Sequence, residues 1–181
     1  MIKALTFDNF TIRPVSIHDG ENYFLFVDNN RDRIIHFLPV TVNSNKTIDE
    51  TKIYLEDRIL KASQNEVFTL VICDNATDKI IGLIFIKNIE WNIPKCEFGY
   101  CIDKNYEGKG IMTKGLSLVI DECFQSMKMN KIFMRIHESN ISSRRIAEKN
   151  GFIVEGILRS DFKSVEGKLL DIMYFGLLRP D

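Results

Sequence analysis

Residues 105–115, Asn105-Tyr106-Glu107-Gly108-Lys109-Gly110-Ile111-Met112-Thr113-Lys114-Gly115, are the stretch of this chain best suited to chemistry. A strand-like segment, Cys96 to Ile102, precedes them, and apolar residues at helical spacing follow from about Ile111 to Met127. The glycines therefore stand where a strand turns into a helix. Glycine lets the backbone bend sharply and lets a ligand approach with no Cβ in the way. A helix N-terminus offers unpaired N–H groups and a partial positive charge, so such a turn suits a phosphate or pyrophosphate. The pattern is not the dinucleotide fingerprint, because only Gly108-x-Gly110 is present, and no Gly-Lys-Ser/Thr ends it as in a P-loop. Taken alone, it reads equally as a tight turn or as a phosphate cradle.

The elements that must position this turn follow from periodicity. Phe10 to Val15 reads as a strand, and Ser16-Ile17-His18-Asp19 as a capped helix start. Thr47-Ile48-Asp49-Glu50 is a capping box opening an amphipathic helix, with Ile48, Leu55, Ile59 and Ala62 on one side. Phe37-Leu38-Pro39-Val40 reads as an apolar loop covering the core. Val67 to Cys73 and Lys79 to Ile86 flank a polar turn and predict a hairpin, with Cys96 to Ile102 as the third strand of a meander. Met112, Leu116, Val119, Cys123 and Met127 then repeat at helical spacing, and Lys131 to His137 alternates again. Strand, helix, parallel strand is a βαβ crossover, which puts the glycine turn at a strand's carboxyl end, where α/β ligands bind. A short helix from Ser142 to Lys149 stops at Asn150-Gly151, and strands near Phe152–Leu158 and Leu169–Leu177 close the sheet. The expected fold class is α/β: a mixed sheet with helices on both sides.

With 181 residues and no repeat or low-complexity linker, residues 1–181 read as a single domain. An apolar fraction of 45% and a charged fraction of 27% are ordinary for a globular protein, and a net charge of −1 argues against a dedicated nucleic-acid binder. No apolar run approaches the ~20 residues of a membrane span, and no signal-peptide pattern opens the chain, so a cytoplasmic location is the default. Cys73, Cys96, Cys101 and Cys123 lack metal-ligand spacing and read as small buried hydrophobes; Cys96 and Cys101 point to opposite faces of their strand. His18, His36 and His137 have no partners at metal-binding spacing, so no metal site is expected.

Three segments in this order resemble the GNAT N-acetyltransferases: Glu97-Phe98-Gly99-Tyr100, then Tyr106-Glu107-Gly108-Lys109-Gly110-Ile111-Met112-Thr113, then Asn140-Ile141-Ser142-Ser143 through Lys149-Asn150-Gly151-Phe152. Within that superfamily they are most similar to the branch of the ribosomal-protein alanine/serine N-terminal acetyltransferases. Thr11-Ile12-Arg13-Pro14 and Gly167-Lys168-Leu169-Leu170-Asp171-Ile172-Met173-Tyr174 extend the resemblance to both ends of the chain. It implies the acyl-CoA N-acyltransferase fold, acetyl-CoA as co-substrate, no metal, and an amine acceptor.

Acetyl transfer to an amine needs a pyrophosphate cradle, a proton acceptor, an oxyanion donor and a partner for the departing thiolate. By resemblance, backbone N–H groups of Glu107, Gly108, Lys109, Gly110, Ile111 and Met112 form the cradle. Tyr100, Cys101 and Ile102 lie on a strand that splays from its neighbour and pairs with the pantetheine arm, with a backbone N–H near Tyr100 as oxyanion donor. Asn140, suited to capping its helix, also reaches the cofactor, and Ser143 lies one turn on, near its sulfur. Glu97, a carboxylate in a mainly apolar strand on the same face as Gly99 and Cys101, reads either as the base acting through water, its pKa raised by partial burial, or as a residue exposed on the outer face or ion-paired structurally. The chain departs from the family at Asn105, where Gln or Arg is commonest, and at Glu107, whose charge Lys109 is expected to offset. It departs again at Ala147, where many members carry a tyrosine acid, leaving Ser143 to take that role or the thiolate to leave unassisted. Arg144 and Arg145 read as a solvated helix face rather than a phosphate clamp.

The leading expectation is direct transfer in a ternary complex, since no cysteine sits in a nucleophile motif. A non-catalytic acyl-CoA-binding protein is the reading from another class. The acceptor is expected to be a protein N-terminal amine, with an aminoglycoside, a polyamine or an amino acid as the small-molecule alternative. Phe37-Leu38-Pro39 and Trp91 are expected to border its groove. Neither nucleic acid nor a membrane is expected as a partner, and homodimerisation is left open.

Overall fold

The computed structural model describes residues 2–180. Two short strands, β1 (Leu5–Phe7) and β2 (Phe10–Pro14), open the chain as a hairpin. Ser16 then caps as its type predicts. Its hydroxyl accepts from the His18 N–H at 3.3 Å, and Asp19 returns a carboxylate to the Ser16 N–H at 2.7 Å. The resulting 3-10 turn runs into α1 (Gly20–Ile34), followed by α2 (Pro39–Asn43) and α3 (Ile48–Ser63). Part of the expected apolar loop is therefore the helix α2, with Pro39 in its first turn, where no N–H is needed. On α3 the Thr47 hydroxyl accepts from the Glu50 N–H at 3.2 Å, but the Glu50 carboxylate reaches back to Lys46 rather than to Thr47. Its buried face is also shifted from expectation. Thr51, Tyr54 and Leu55 are buried, whereas Ile48 and Ile59 are exposed, because the face that meets α1 and the sheet is centred nearly one residue away.

Strands β3 (Phe68–Asp74), β4 (Lys79–Glu90) and β5 (Lys95–Ile102) form the expected meander, and α4 (Ile111–Gln125) carries the chain over to β6 (Lys131–Ile136). After α5 (Ile141–Lys149) come β7 (Ile153–Lys163) and β8 (Leu169–Leu178). The eight strands order as β1-β2-β3-β4-β5-β6-β8-β7, so the last strand inserts between β6 and β7. One core layer packs α4 and α5 against the sheet through Met112, Leu116, Val119, Cys123 and Ala147. The other packs α1 and α3 through Tyr23, Phe26, Val27, Tyr54 and Leu55. Cys96 belongs to the first layer and Cys101 to the second, as their spacing predicts.

One irregularity decides where a ligand can enter. The parallel pair β5–β6 stays in register only at Lys95–Lys131, Cys96–Ile132 and Glu97–Phe133, then the strands diverge. From Phe98 onward, β5 has a neighbour only in β4. The Asp103 N–H donates to the Ile81 carbonyl at 2.7 Å, which fixes the phase of that ladder. Hydrogen-bonding direction alternates along an antiparallel strand, so Gly99 and Cys101 spend their backbone groups on β4. Those of Tyr100 and Ile102, beyond the last β6 pairing, face the opening.

Candidate active site

The glycine turn lies at the wide end of this fork. Gly108 and Gly110 have φ of 72° and 76°, the left-handed region that side chains with a Cβ rarely adopt. Gly110 is the N-cap of α4 and no side chain caps it, so the N–H groups of the first helical turn point into open space. The turn is braced from below. Tyr106 donates its hydroxyl to Asp74 on β3 at 2.8 Å, its ring meets Phe10 edge-on, and the Lys109 ammonium sits 5.1 Å over that ring. Asp74 is held below the usual carboxylate range, first by the Ala76 N–H and then by the Tyr106 hydroxyl.

A cavity of about 720 Å³ runs from this turn along β5. Its lining includes Tyr100, Cys101, Ile102, Glu107, Gly108, Gly110, Ile111, Met112, Asn140 and Ser143. Two expectations need correction here. Lys109 does not pair with Glu107; Arg33 from α1 does, while Lys109 lies over Tyr106. The Cys101 backbone faces β4, which leaves Tyr100 and Ile102 as the strand's open groups. The Glu107 N–H already leans toward the Lys104 carbonyl at 3.4 Å. Arg145 lines this cavity, whereas Arg144 turns away to the Glu138 carbonyl at 3.2 Å.

Across the wall made by Tyr100, Asn140 and Ser143 lies a second cavity of about 90 Å³. Asn140 caps α5, its Oδ1 accepting from the Ser143 N–H at 3.1 Å, and Tyr100 donates its hydroxyl to the Ser143 carbonyl at 3.0 Å. Strand and helix are thus tied at the point where the two cavities meet. Burial pushes the Tyr100 phenol well above its ordinary range. Phe37, Leu38, Phe162 and Ile172 supply apolar walls, and Lys87, Glu97, Arg135 and His137 supply the charged and ionisable ones. Trp91 is not among the lining residues of either cavity; its indole N–H donates to the Asn65 carbonyl at 3.3 Å.

Glu97 sits at the vertex of the fork, 3% exposed. Asn88 donates to one carboxylate oxygen at 2.6 Å, the Lys87 ammonium lies 3.3 Å away, and the Arg135 guanidinium approaches at 3.2 Å. Arg135 in turn pairs with Asp161 on β7 at 3.1 Å. A carboxylate this buried is tolerable because its charge is matched. Sequence reading missed Arg33, Arg135 and Asp161 as site neighbours. It weighed His137 only as a metal ligand, although the ring lines the second cavity, with Nδ1 2.8 Å from the Ser139 hydroxyl.

All four cysteines are buried, and burial pushes the Cys101 thiol, the one lining the larger cavity, up to about 12. A thiol so placed is a poor nucleophile. Among the described residues, no group of three or more His, Cys, Asp or Glu side chains could hold a metal ion, and no helix is long and apolar enough to cross a membrane.

Comparison with known proteins gives the same answer as the geometry. The chain is 29% identical over 171 residues to a Bacillus subtilis protein named "Probable N-acetyltransferase YjcK", covering 94% of each chain. Over about half its length it is 33% identical to the ribosomal-protein-serine acetyltransferase of Escherichia coli across 82 residues, covering 45% of this chain and 46% of the relative. It is also 29% identical to the spermidine N(1)-acetyltransferase of that organism across 99 residues, covering 55% and 52%. A solved structure of RimL, a ribosomal L7/L12 alpha-N-protein acetyltransferase in complex with coenzyme A, shares the fold with a TM-score of 0.90 at 16% identity, over 97% of this chain and 98% of that one. The acetyltransferase (GNAT) domain model matches residues 9–153. With the strand fork and the left-handed glycine turn in place, the chain belongs to the GNAT acetyltransferase family and is an N-acetyltransferase.

Proposed function

We propose that the protein moves the acetyl group of acetyl-CoA directly to a terminal α-amino group, with the N-terminus of a protein as acceptor. The observation that carries this is the shared wall at Tyr100, Asn140 and Ser143, where a long cavity from an anion-suited turn meets a small one. The pyrophosphate rests on the N–H groups from Gly108 to Met112, and the pantetheine arm pairs with Tyr100 and Ile102 across the fork. The Tyr100 N–H supports the developing oxyanion, a task for a preorganised donor. Ser143 stands beside the sulfur and donates a hydrogen bond to the leaving thiolate, in place of the tyrosine absent at Ala147, and the thiolate leaves as a weak base that takes its proton from water. Ala147 itself is fully buried in the core.

Among the described residues Glu97 is the only carboxylate lining the smaller cavity, and we assign it the amine's proton, taken through a water. Lys87, Asn88 and Arg135 already contact its oxygens, so taking up a proton weakens those pairings. This favours an acceptor that gives up its proton readily. An α-amine titrates near pH ~8 and lysine near ~10.4, so at neutral pH the first is ~10²-fold richer in reactive free base. The same pairing weighs against a polyamine, because among the described residues no lining carboxylate is left unpaired to attract a second cation. A competition assay with acetyl-CoA tests the reading: peptides with free N-termini, N-blocked lysine peptides, spermidine and an aminoglycoside in one mixture. Preferential acetylation of the free N-termini is expected. Preference for the blocked lysine peptides or for spermidine would overturn the acceptor assignment.

A further inference from the structure

Arg33 lies on α1, outside the motif segments in which the resemblance was read, yet it lines the larger cavity. One guanidinium nitrogen meets Glu107 in the glycine turn, and another meets Asn30 Oδ1 at 2.8 Å together with the Ile102 carbonyl. Its Nε is buried without a partner. Arg33 thus spans the turn and the open edge of β5, the path a pantetheine arm must take between them. A guanidinium is suited to phosphate oxygens, and a carboxylate is the side-chain group most like one.

We propose that Arg33 is a cofactor-binding residue and that Glu107 holds its guanidinium in place until the pyrophosphate takes over. The inference rests on reading the glycine turn as the pyrophosphate cradle. It explains the acid in that turn: in the free protein Glu107 fills the role of the missing anion. When the cofactor enters, Arg33 leaves the Ile102 carbonyl and Glu107, frees the strand edge for pantetheine, and pairs with a phosphate oxygen. Glu107, 47% exposed in its side chain, then turns to solvent.

The two residues act on one equilibrium, so a double-mutant cycle on coenzyme A affinity tests the idea. Calorimetry on wild type and Gly110→Val first establishes the cradle: wild type binds and the variant does not. Arg33→Ala is expected to weaken coenzyme A roughly 10–30-fold, the scale of a charge-assisted hydrogen bond, and to leave pantetheine, which lacks the pyrophosphate, unweakened or somewhat tighter because the Ile102 carbonyl is freed. Arg33→Gln replaces it should the alanine variant fold poorly. Glu107→Gln is expected to tighten coenzyme A about 3–10-fold by releasing Arg33, and to change it less than about twofold when Arg33 is also replaced. An equal gain from Glu107→Gln in both backgrounds would mean that Glu107 merely repels phosphate, which overturns the proposal while leaving the cradle intact. Unchanged coenzyme A affinity in the Arg33 variant, or an equal loss for pantetheine, overturns it too. Undiminished binding by Gly110→Val would remove the cradle and the inference together.

Discussion

Along the larger cavity the groups we assign to the cofactor are mostly main-chain ones, from Tyr100 and Ile102 on β5 and from the first turn of α4, with the Arg33 side chain proposed to join them. Around the acceptor cavity they are side chains, Lys87, Glu97, Arg135 and Phe162, delivered by four different strands. The two halves meet at Tyr100 and Ser143 but tolerate change differently. A surface of N–H groups survives most substitutions that keep φ, whereas a cluster of side chains changes with any one of them. On the function proposed above, binding of the co-substrate belongs to the first half and choice of acceptor to the second.

Breaking the cofactor half should give the largest effect. Gly110→Val places a β-branched residue at φ of 76°. Coenzyme A binding should fall below detection by calorimetry while circular dichroism keeps the native spectrum. On the acceptor side, Glu97→Gln should lower kcat by roughly 10²–10⁴-fold, the range for a lost proton acceptor, with coenzyme A affinity unchanged. A near-normal rate across pH would leave Glu97 as a purely structural pivot for Lys87 and Arg135.

These two residues also show how far sequence can be read. The glycine turn was legible because its function follows from local backbone: a switch of period from strand to helix, with Gly at positions needing positive φ. Glu97 was legible as an anomaly in an apolar strand, but its partners were not. Asn88, Lys87 and Arg135 reach it only through the β4–β5 and β5–β6 registers. Arg33 was hidden further still, bonding residues 69 and 74 positions away, and in α1 it resembled any basic last turn. The strand β7 was read too short because Ser160, at φ of 54°, sits in a bulge between Leu158 and Phe162 that breaks the two-residue period. That bulge is what sets Asp161 on Arg135 and Phe162 in the acceptor cavity. On α3 the isoleucines misled, since Thr51 and Tyr54 take the buried face that Ile48 and Ile59 were expected to fill.

A smaller effect should come from the brace beneath the turn. Tyr106→Phe keeps the ring against Phe10 but removes the bond to Asp74. It should weaken coenzyme A about 3–10-fold, less than the full worth of a hydrogen bond to a charged group because the bond lies one step from the cofactor. Asp74 also predicts a pH dependence. Its carboxyl is depressed in the folded protein, so its contribution is present above the unfolded value near ~3.9 and is lost as pH falls through the lower folded value. The melting-temperature gap between wild type and Asp74→Asn should therefore hold at neutral pH and close below about pH 4. Smallest of all, Asp161→Asn removes a half-exposed partner of Arg135 and should change the acceptor KM by no more than about threefold, with coenzyme A affinity untouched.

The division between the two halves is tested most directly by a crystal structure with coenzyme A bound. The pyrophosphate is expected on the N–H groups between Gly108 and Met112, pantetheine hydrogen-bonded to Tyr100 and Ile102 across the open edge of β5, and the thiol at the wall between the cavities, beside Ser143. A pyrophosphate held away from the glycine turn, or a thiol that ends short of the Tyr100–Ser143 wall, would contradict that division.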